Sequence, residues 1–258
     1  AEWQALDADF AFVAACNQGG EASSPDARAR LQQIAARTWQ RTLDDTLGLS
    51  QEERLRRKDK VPQPLPATEP LLADQPWHHI ERQPRDTMPA GNRWGFTMKV
   101  PALLYDQGEL HNLLVERGTL TDEERFKINE HVIQTIVMLE QMPLPKNLKR
   151  VPEYAGTHHE TLIGTGYPRK LDGKALSVPS RIMAIADIFE ALTASDRPYK
   201  KAKTLSESIK ILSFFKKDQH IDPVIFDLFL TSGIYMRYAE RFLSPEQIDE
   251  VDISAFVG

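Results

Sequence analysis

His158-His159-Glu160-Thr161-Leu162-Ile163-Gly164-Thr165-Gly166-Tyr167-Pro168 is the stretch from which the rest of the chain is read. Two adjacent imidazoles beside a carboxylate concentrate metal-binding atoms, and neutral imidazole nitrogens suit zinc, iron and manganese. The glycines behind them let backbone approach a ligand or another segment closely. A His-His pair alone is also what a surface loop carries by chance. The block therefore has to be weighed with its neighbours in the chain.

Downstream, Asp187 is the only charge between Arg181 and Glu190, set among Ile182, Met183, Ala184, Ile185, Ala186, Ile188 and Phe189. A helix apolar on nearly all sides is expected to be buried, and a carboxylate inside it costs several kcal/mol unless it is paired or bound to metal. Either a salt bridge to Arg181 or Arg197, or a metal, would satisfy it. Arg197 and Lys200 follow past a turn at Ser195-Asp196. If the turn carries them back, a guanidinium fork and an ammonium can clamp phosphate oxygens, the alternative being solvated surface charge.

Upstream, Thr121 and Glu124 form a candidate capping box that opens a helix with apolar contacts at Phe126, Ile133, Ile136 and Val137. His131 falls two turns into it, between Ile128, Val132 and Ile133. It is either a core histidine bonded to a carbonyl or a ligand. Thr204 with Glu207, and Asp222 with Pro223, read as two more helix starts. From residue 101 onward the pattern is helical. In an all-helical fold a metal cluster is built from side chains on several facing helices, so its ligands are distant in sequence.

Near residue 61 the organisation changes. Ser24-Pro25-Asp26 starts a helix whose spacing runs through Leu31, Ile34, Ala35, Thr38, Trp39 and Thr42, and residues 51–60, QEERLRRKDK, read as a solvated helix end. Residues 61–101 hold eight of the chain's 17 prolines, which excludes regular helix. Trp77, Ile80, Trp94 and Phe96 are apolar anchors that a free linker does not need, so this segment is expected to be an ordered wrap.

A net charge of -5 and a pI near 5.9 argue against a general nucleic-acid or membrane-surface binder. The single cysteine, Cys16, excludes an internal disulfide and fits a reducing compartment. No apolar run reaches the roughly 18 to 20 residues that span a bilayer. A cytoplasmic location is therefore expected.

Taken with Arg181 to Lys200, and with Gly118-Thr119-Leu120-Thr121-Asp122-Glu123-Glu124 followed by His131, the block resembles the signature of the HD-GYP family, the cyclic di-GMP phosphodiesterase branch of the HD metal-dependent phosphohydrolases. The likeness covers about residues 100 to 230. It implies an all-α fold, with an HD-type helical bundle over 101–258 behind a helical segment 1–60 and a Pro-rich segment 61–100. It implies metal ligands His131, His158, His159, Asp187 and Asp106, holding two ions. It places Arg197, Lys200, Gly166 and Tyr167 at the substrate, with cyclic di-GMP or a related phosphodiester hydrolysed by metal-activated water. Family members often carry an upstream sensor domain, and the absence of an initiator Met fits an excised piece. In the family the Gly-Tyr-Pro motif is associated with contacts to diguanylate cyclase domains, so the resemblance implies such a partner for the loop.

The family's His-Asp-x-Gly-Lys motif reads Tyr105-Asp106-Gln107-Gly108-Glu109 here, about three residues closer to His131 than usual, and Ile163 replaces an aspartate. One imidazole and one basic group are absent. Asp106 remains as a bridging carboxylate. Glu109 is a substitute oxygen donor that favours iron or manganese over zinc, and both are catalytic candidates. Tyr105 suits hydrogen-bond donation, and His78 and His79 are further candidate ligands. Three functions stay open: a working phosphodiesterase, a non-catalytic nucleotide sensor or docking module, and a hydrolase of another phosphate ester.

Overall fold

The structure, a computed structural model, describes residues 2–18, 20–86, 88, 92–195 and 202–258. Two compact units are formed, Ala1–Pro89 with Val100–Ile128, and Ala90–Lys99 with Asn129–Gly258. They divide both the Pro-rich segment 61–100 and the expected bundle 101–258. Among the described residues helical elements dominate, and the strands are short and form no closed sheet.

In the first unit, helix α1 (Glu2–Asn17) is followed by β1 (Gly20–Ala22) and α2 (Pro25–Ala35). Pro25 occupies the first turn of α2, and Ser24 Oγ accepts the Ala27 N–H at 3.1 Å. Leu31, Ile34 and Ala35 are its buried face. The expected continuation through Thr38 and Trp39 is corrected. Residues Thr38–Arg41 form β2, paired antiparallel with β3 (Ala67–Pro70), so that Thr38 faces Pro70 and Arg41 faces Ala67. Thr and Trp favour extended backbone, and buried Arg41 donates from Nε to Glu69 at 2.7 Å across the pair.

Between these strands lies α3 (Gln51–Arg56), opened by a reciprocal Ser50 and Glu53 capping box. Its end is charged, as expected, yet Arg57 and Lys60 also lie over the Trp77 ring at 5.1 and 4.6 Å. The wholly helical reading from residue 101 is corrected as well. Leu103–Asp106 is strand β5, paired antiparallel with β4 (His79–Glu81), and His79 stands opposite Asp106. After α4 (Glu109–Leu113), β6 (Arg117–Gly118) pairs with β1. Strands of two to four residues are too short for alternation to show in the sequence.

Helix α5 (Asp122–Gln141) begins at the predicted box, where Thr121 N–H donates to Glu124 and Glu124 N–H donates to Thr121 Oγ1. The division between the units falls inside it. The second unit continues with α6 (Val151–Ala155), α7 (Val178–Thr193), α8 (Leu205–Lys217), α9 (Pro223–Thr231) and α10 (Ile234–Phe242). Both predicted starts are present. Thr204 and Glu207 cap α8 reciprocally, and Asp222 Oδ1 accepts the Val224 and Ile225 N–H groups at 2.9 and 3.1 Å.

Ile185 and Phe189 of α7 pack with Leu205, Ile209 and Leu212 of α8 and Phe226 of α9 in one buried cluster. Each such side chain contributes about 1.5–3 kcal/mol of burial. Arg181 joins the start of α7 to the cap of α9 through Asp222 at 2.8 Å. Residues 92–99 belong to this unit. Trp94 stacks on buried Phe96 and donates from Nε1 to Glu140 at 2.8 Å, and Thr97 N–H donates to the Pro168 carbonyl at 2.8 Å.

Candidate metal centre

Three elements of the second unit converge on one point: α5 supplies His131, the loop after α6 supplies His158 and His159, and α7 supplies Asp187. Ring nitrogens of the three histidines lie within 4.8 Å of one another. Asp187 Oδ2 is 3.9 Å from His159 Nδ1, too far for a hydrogen bond. Convergence requires the loop to pass hard against α5. It does so at Gly156, where a Cβ would overlap the buried side chain of Ile136, one turn beyond His131.

The sequence left His131 between core and site, and the structure puts its ring beside those of His158 and His159. Val132 and Ile133 are buried while His131 is exposed, so α5 turns these two inward and its imidazole towards the other two rings. His158 Nδ1 donates to the Ala155 carbonyl at 2.8 Å. That bond places the proton on Nδ1 and leaves Nε2 with a lone pair, the arrangement by which outer partners prepare a metal-ligating histidine. Burial first, and then the neighbouring His158, hold His159 down to about 4, with Asp187 opposing. It is thus a neutral donor at pH 7. Three imidazoles with a carboxylate at their edge fit a divalent metal ion.

Burial of Asp187 is corrected: 40% of its side chain is exposed. Helix α7 is amphipathic in space although its sequence is apolar, with Ile182 and Met183 also exposed. Arg181 is not its partner. The guanidinium bonds Asp222 and the carbonyls of Leu176 and Gly173. Arg197 and Lys200 lie outside the described residues.

Glu160, adjacent to the histidines in sequence, turns away from them. It is buried, with Oε1 accepting the Arg169 N–H at 2.7 Å and Oε2 the Leu171 N–H at 2.8 Å. Burial raises its pKa, and the backbone donors oppose the rise. Gly166 is buried too, and a Cβ there would overlap the His159 carbonyl and the Glu160 backbone. The Gly-Tyr-Pro turn thus packs on the backbone of the histidine pair. Tyr167 stacks on His159 with centroids 4.7 Å apart, and burial, then Asp187, pushes its phenol up to about 12.

Asp106 and Glu109 belong to the first unit. Glu109 is exposed, and its Oε2 accepts the Ala73 N–H at 3.0 Å. Asp106 stands near His79 and His111. Sequence reading passed over His111, whose signal was its place five residues after the one carboxylate retained from the motif. It also passed over Glu160 as a clamp. Spacing alone does not say which way a loop side chain points. Among the described residues no helix is long and apolar enough to cross a membrane.

A family model described as HD domain matches residues 66–225, more than half of the chain. The 3'3'-cGAMP-specific phosphodiesterase 1 of Vibrio cholerae serotype O1 is 39% identical over 134 residues, covering 51% of this chain and 30% of the relative. A cyclic di-GMP phosphodiesterase of the same organism is 34% identical over 150 residues, covering 52% and 30%. A cyclic di-GMP phosphodiesterase of Thermotoga maritima is 36% identical over 112 residues, covering 42% and 30%. The chain spans about three-tenths of the length of these curated relatives.

Proposed function

The chain belongs to the HD domain family and is of the HD-GYP type, and we propose that His131, His158, His159 and Asp187 form the metal centre of a phosphodiesterase that hydrolyses a cyclic dinucleotide. The observation that carries this reading is the convergence of three imidazoles from two elements, one with its proton committed to the Ala155 carbonyl. A divalent ion held there supplies a Lewis acid and lowers the pKa of bound water towards 7. The chain's own residues do the rest. His159 presents a neutral nitrogen, His158 is oriented by its bond to the Ala155 carbonyl, and Tyr167 keeps its proton and forms one wall of the site. Arg197 and Lys200 are proposed to hold the phosphate oxygens, where added positive charge favours the more highly charged transition state.

Finer assignments belong to the same proposal. The ions are two in number, iron or manganese over zinc, and the substrate is cyclic di-GMP or 3'3'-cGAMP, the two named for the relatives. Gly166 serves the site by packing beneath the pair, and the half-buried Tyr167 favours a scaffold role for the Gly-Tyr-Pro loop over docking of a cyclase domain. A cytoplasmic location and an upstream sensor domain complete the reading.

A second reading, a nucleotide sensor or docking module without turnover, is favoured by one observation. Tyr105 stands where the motif has histidine, and it lies in strand β5. Removing a ligand or a charge stabiliser commonly costs orders of magnitude in rate. The test is elemental analysis of the purified chain after manganese or ferrous iron is supplied, with both cyclic dinucleotides assayed on the same sample. Bound metal with product supports the phosphodiesterase. Nucleotide binding without product gives the second reading. Joint replacement His158→Ala and His159→Ala should strip metal with helical content kept, and unchanged metal in that variant would sink the site.

A further inference from the structure

We propose that the first unit carries a divalent-cation site of its own, in which His111 Nε2 and Glu123 Oε2 are ligands and Asp106 orients the His111 ring. These two atoms face each other at 3.6 Å, both are shut off from solvent, and neither has a hydrogen-bond partner. An imidazole nitrogen opposite a carboxylate oxygen ordinarily closes to about 2.7–2.9 Å when the two share a proton. At the observed separation no hydrogen bond is made, so two buried polar atoms stay uncompensated. The spacing has another meaning. Nitrogen and oxygen donors bound to one ion at about 2.0–2.2 Å, near the tetrahedral angle, stand roughly 3.4 Å apart.

The other ring nitrogen of His111 lies beside a carboxylate, on the side where the outer partner of a metal-ligating histidine stands, though beyond hydrogen-bond distance. Asp106 Oδ1 accepts the Gly108 N–H at 2.8 Å, which fixes the carboxylate and leaves Oδ2 at 3.7 Å from His111 Nδ1 and 3.6 Å from His79 Nε2. Asp106 is thus a positioning residue for His111, and His79, opposite it in the β4–β5 pair, flanks the same oxygen.

The frame around the two ligands is built independently of any ion. Asp74 Oδ1 accepts the N–H groups of Leu110 and His111, holding the start of α4. Glu123 lies in the first turn of α5, whose cap is closed by Thr121 and Glu124 and leaves Glu123 free of that duty. A cavity of about 570 Å³ borders both ligands and is also lined by Asp74, Glu116 and Asp122. Arg125, on the same wall, donates to the carbonyls of Arg117 and Leu120. The carboxylates around the cavity favour a cation. One imidazole and one carboxylate suit zinc or manganese better than calcium or magnesium, and so few protein ligands mean exchangeable binding.

The test is a zinc titration of the full chain, labelled with ¹⁵N-histidine, in a His158→Ala/His159→Ala background that removes the proposed centre of the second unit. Zinc is expected to bind with saturable perturbation of the His111 ring nitrogens. Glu123→Gln, which keeps the shape of the side chain, should weaken that binding at least tenfold. Asp106→Asn should weaken it roughly ten- to hundredfold through the ring orientation. Zinc affinity unchanged by both Glu123→Gln and His111→Ala, or His111 resonances that respond to pH and not to zinc, would overturn the site and leave an ion pair only. The zinc lost between the parent chain and the background reports on the second-unit centre separately, so either site can fail without the other.

Discussion

The Tyr167 ring lies on the His159 ring, with centroids 4.7 Å apart and planes 24° from parallel, and the Tyr167 N–H donates to the His159 carbonyl at 3.1 Å. The motif's tyrosine thereby restrains the second histidine of the pair from side chain and backbone together. Stacking of this kind is worth about 0.5–1.5 kcal/mol beyond burial. Tyr167→Ala should weaken metal binding by roughly fivefold, an effect of about 1 kcal/mol. Tyr167→Phe should stay near the parent, since the phenol is protonated at pH 7. Calorimetric titration with manganese of the three proteins measures the difference, and equal weakening by both variants would transfer the role to the hydroxyl.

His159 gives the metal-free chain a defined acid response. Burial, with His158 adding to it, lowers its pKa from 6.5 to about 4. Between those values the unfolded chain binds the proton and the folded chain does not, so His159 makes stability rise with pH across that window. The loss on acidification from pH 6.5 towards 4 amounts to about 3 kcal/mol at most. Urea midpoints of the metal-free chain across this range should fall with pH, and His159→Asn should flatten the slope. A parallel slope in that variant would assign the proton elsewhere.

Glu160 holds the loop on which the site rests. Both oxygens accept backbone N–H groups, from Arg169 and Leu171. In Glu160→Gln one acceptor becomes an NH₂ that faces an N–H, leaving a buried donor unsatisfied at a cost of about 1–3 kcal/mol. The variant should melt lower, with metal content at saturation largely kept, because Glu160 is not a ligand. Full loss of metal at unchanged melting temperature would be the opposite assignment.

What the sequence disclosed and what it concealed follow one physical division. Local chemistry was legible: the Thr121, Thr204 and Asp222 caps lie where residue type and spacing put them, and the helices they open are present. His131, His158 and His159 were nominated from type and motif and do converge. Direction was not legible. Asp187 sits in an apolar run yet is 40% exposed, because the run coats a helix with only one packed face. Glu160 reads as a metal donor and is a loop clamp. Thr38–Arg41 and Leu103–Asp106 are strands only because distant segments pair with them, a property no local window holds.

That exposure sharpens a comparison within α7. Asp187 and Glu190 are both acidic and both reach solvent, and only Asp187 approaches the histidines, at 3.9 Å from His159 Nδ1. Replacing either with alanine removes no buried pair, so each should change stability by no more than about 0.5 kcal/mol. Their metal binding should separate. Asp187→Ala withdraws a carboxylate from the edge of the imidazole cluster and should weaken manganese binding roughly ten- to hundredfold, while Glu190→Ala leaves it unchanged. Matched melting curves with divergent manganese affinities would place Asp187 in the coordination shell. Equal affinities would leave the three histidines as the whole of the protein's contribution in this unit.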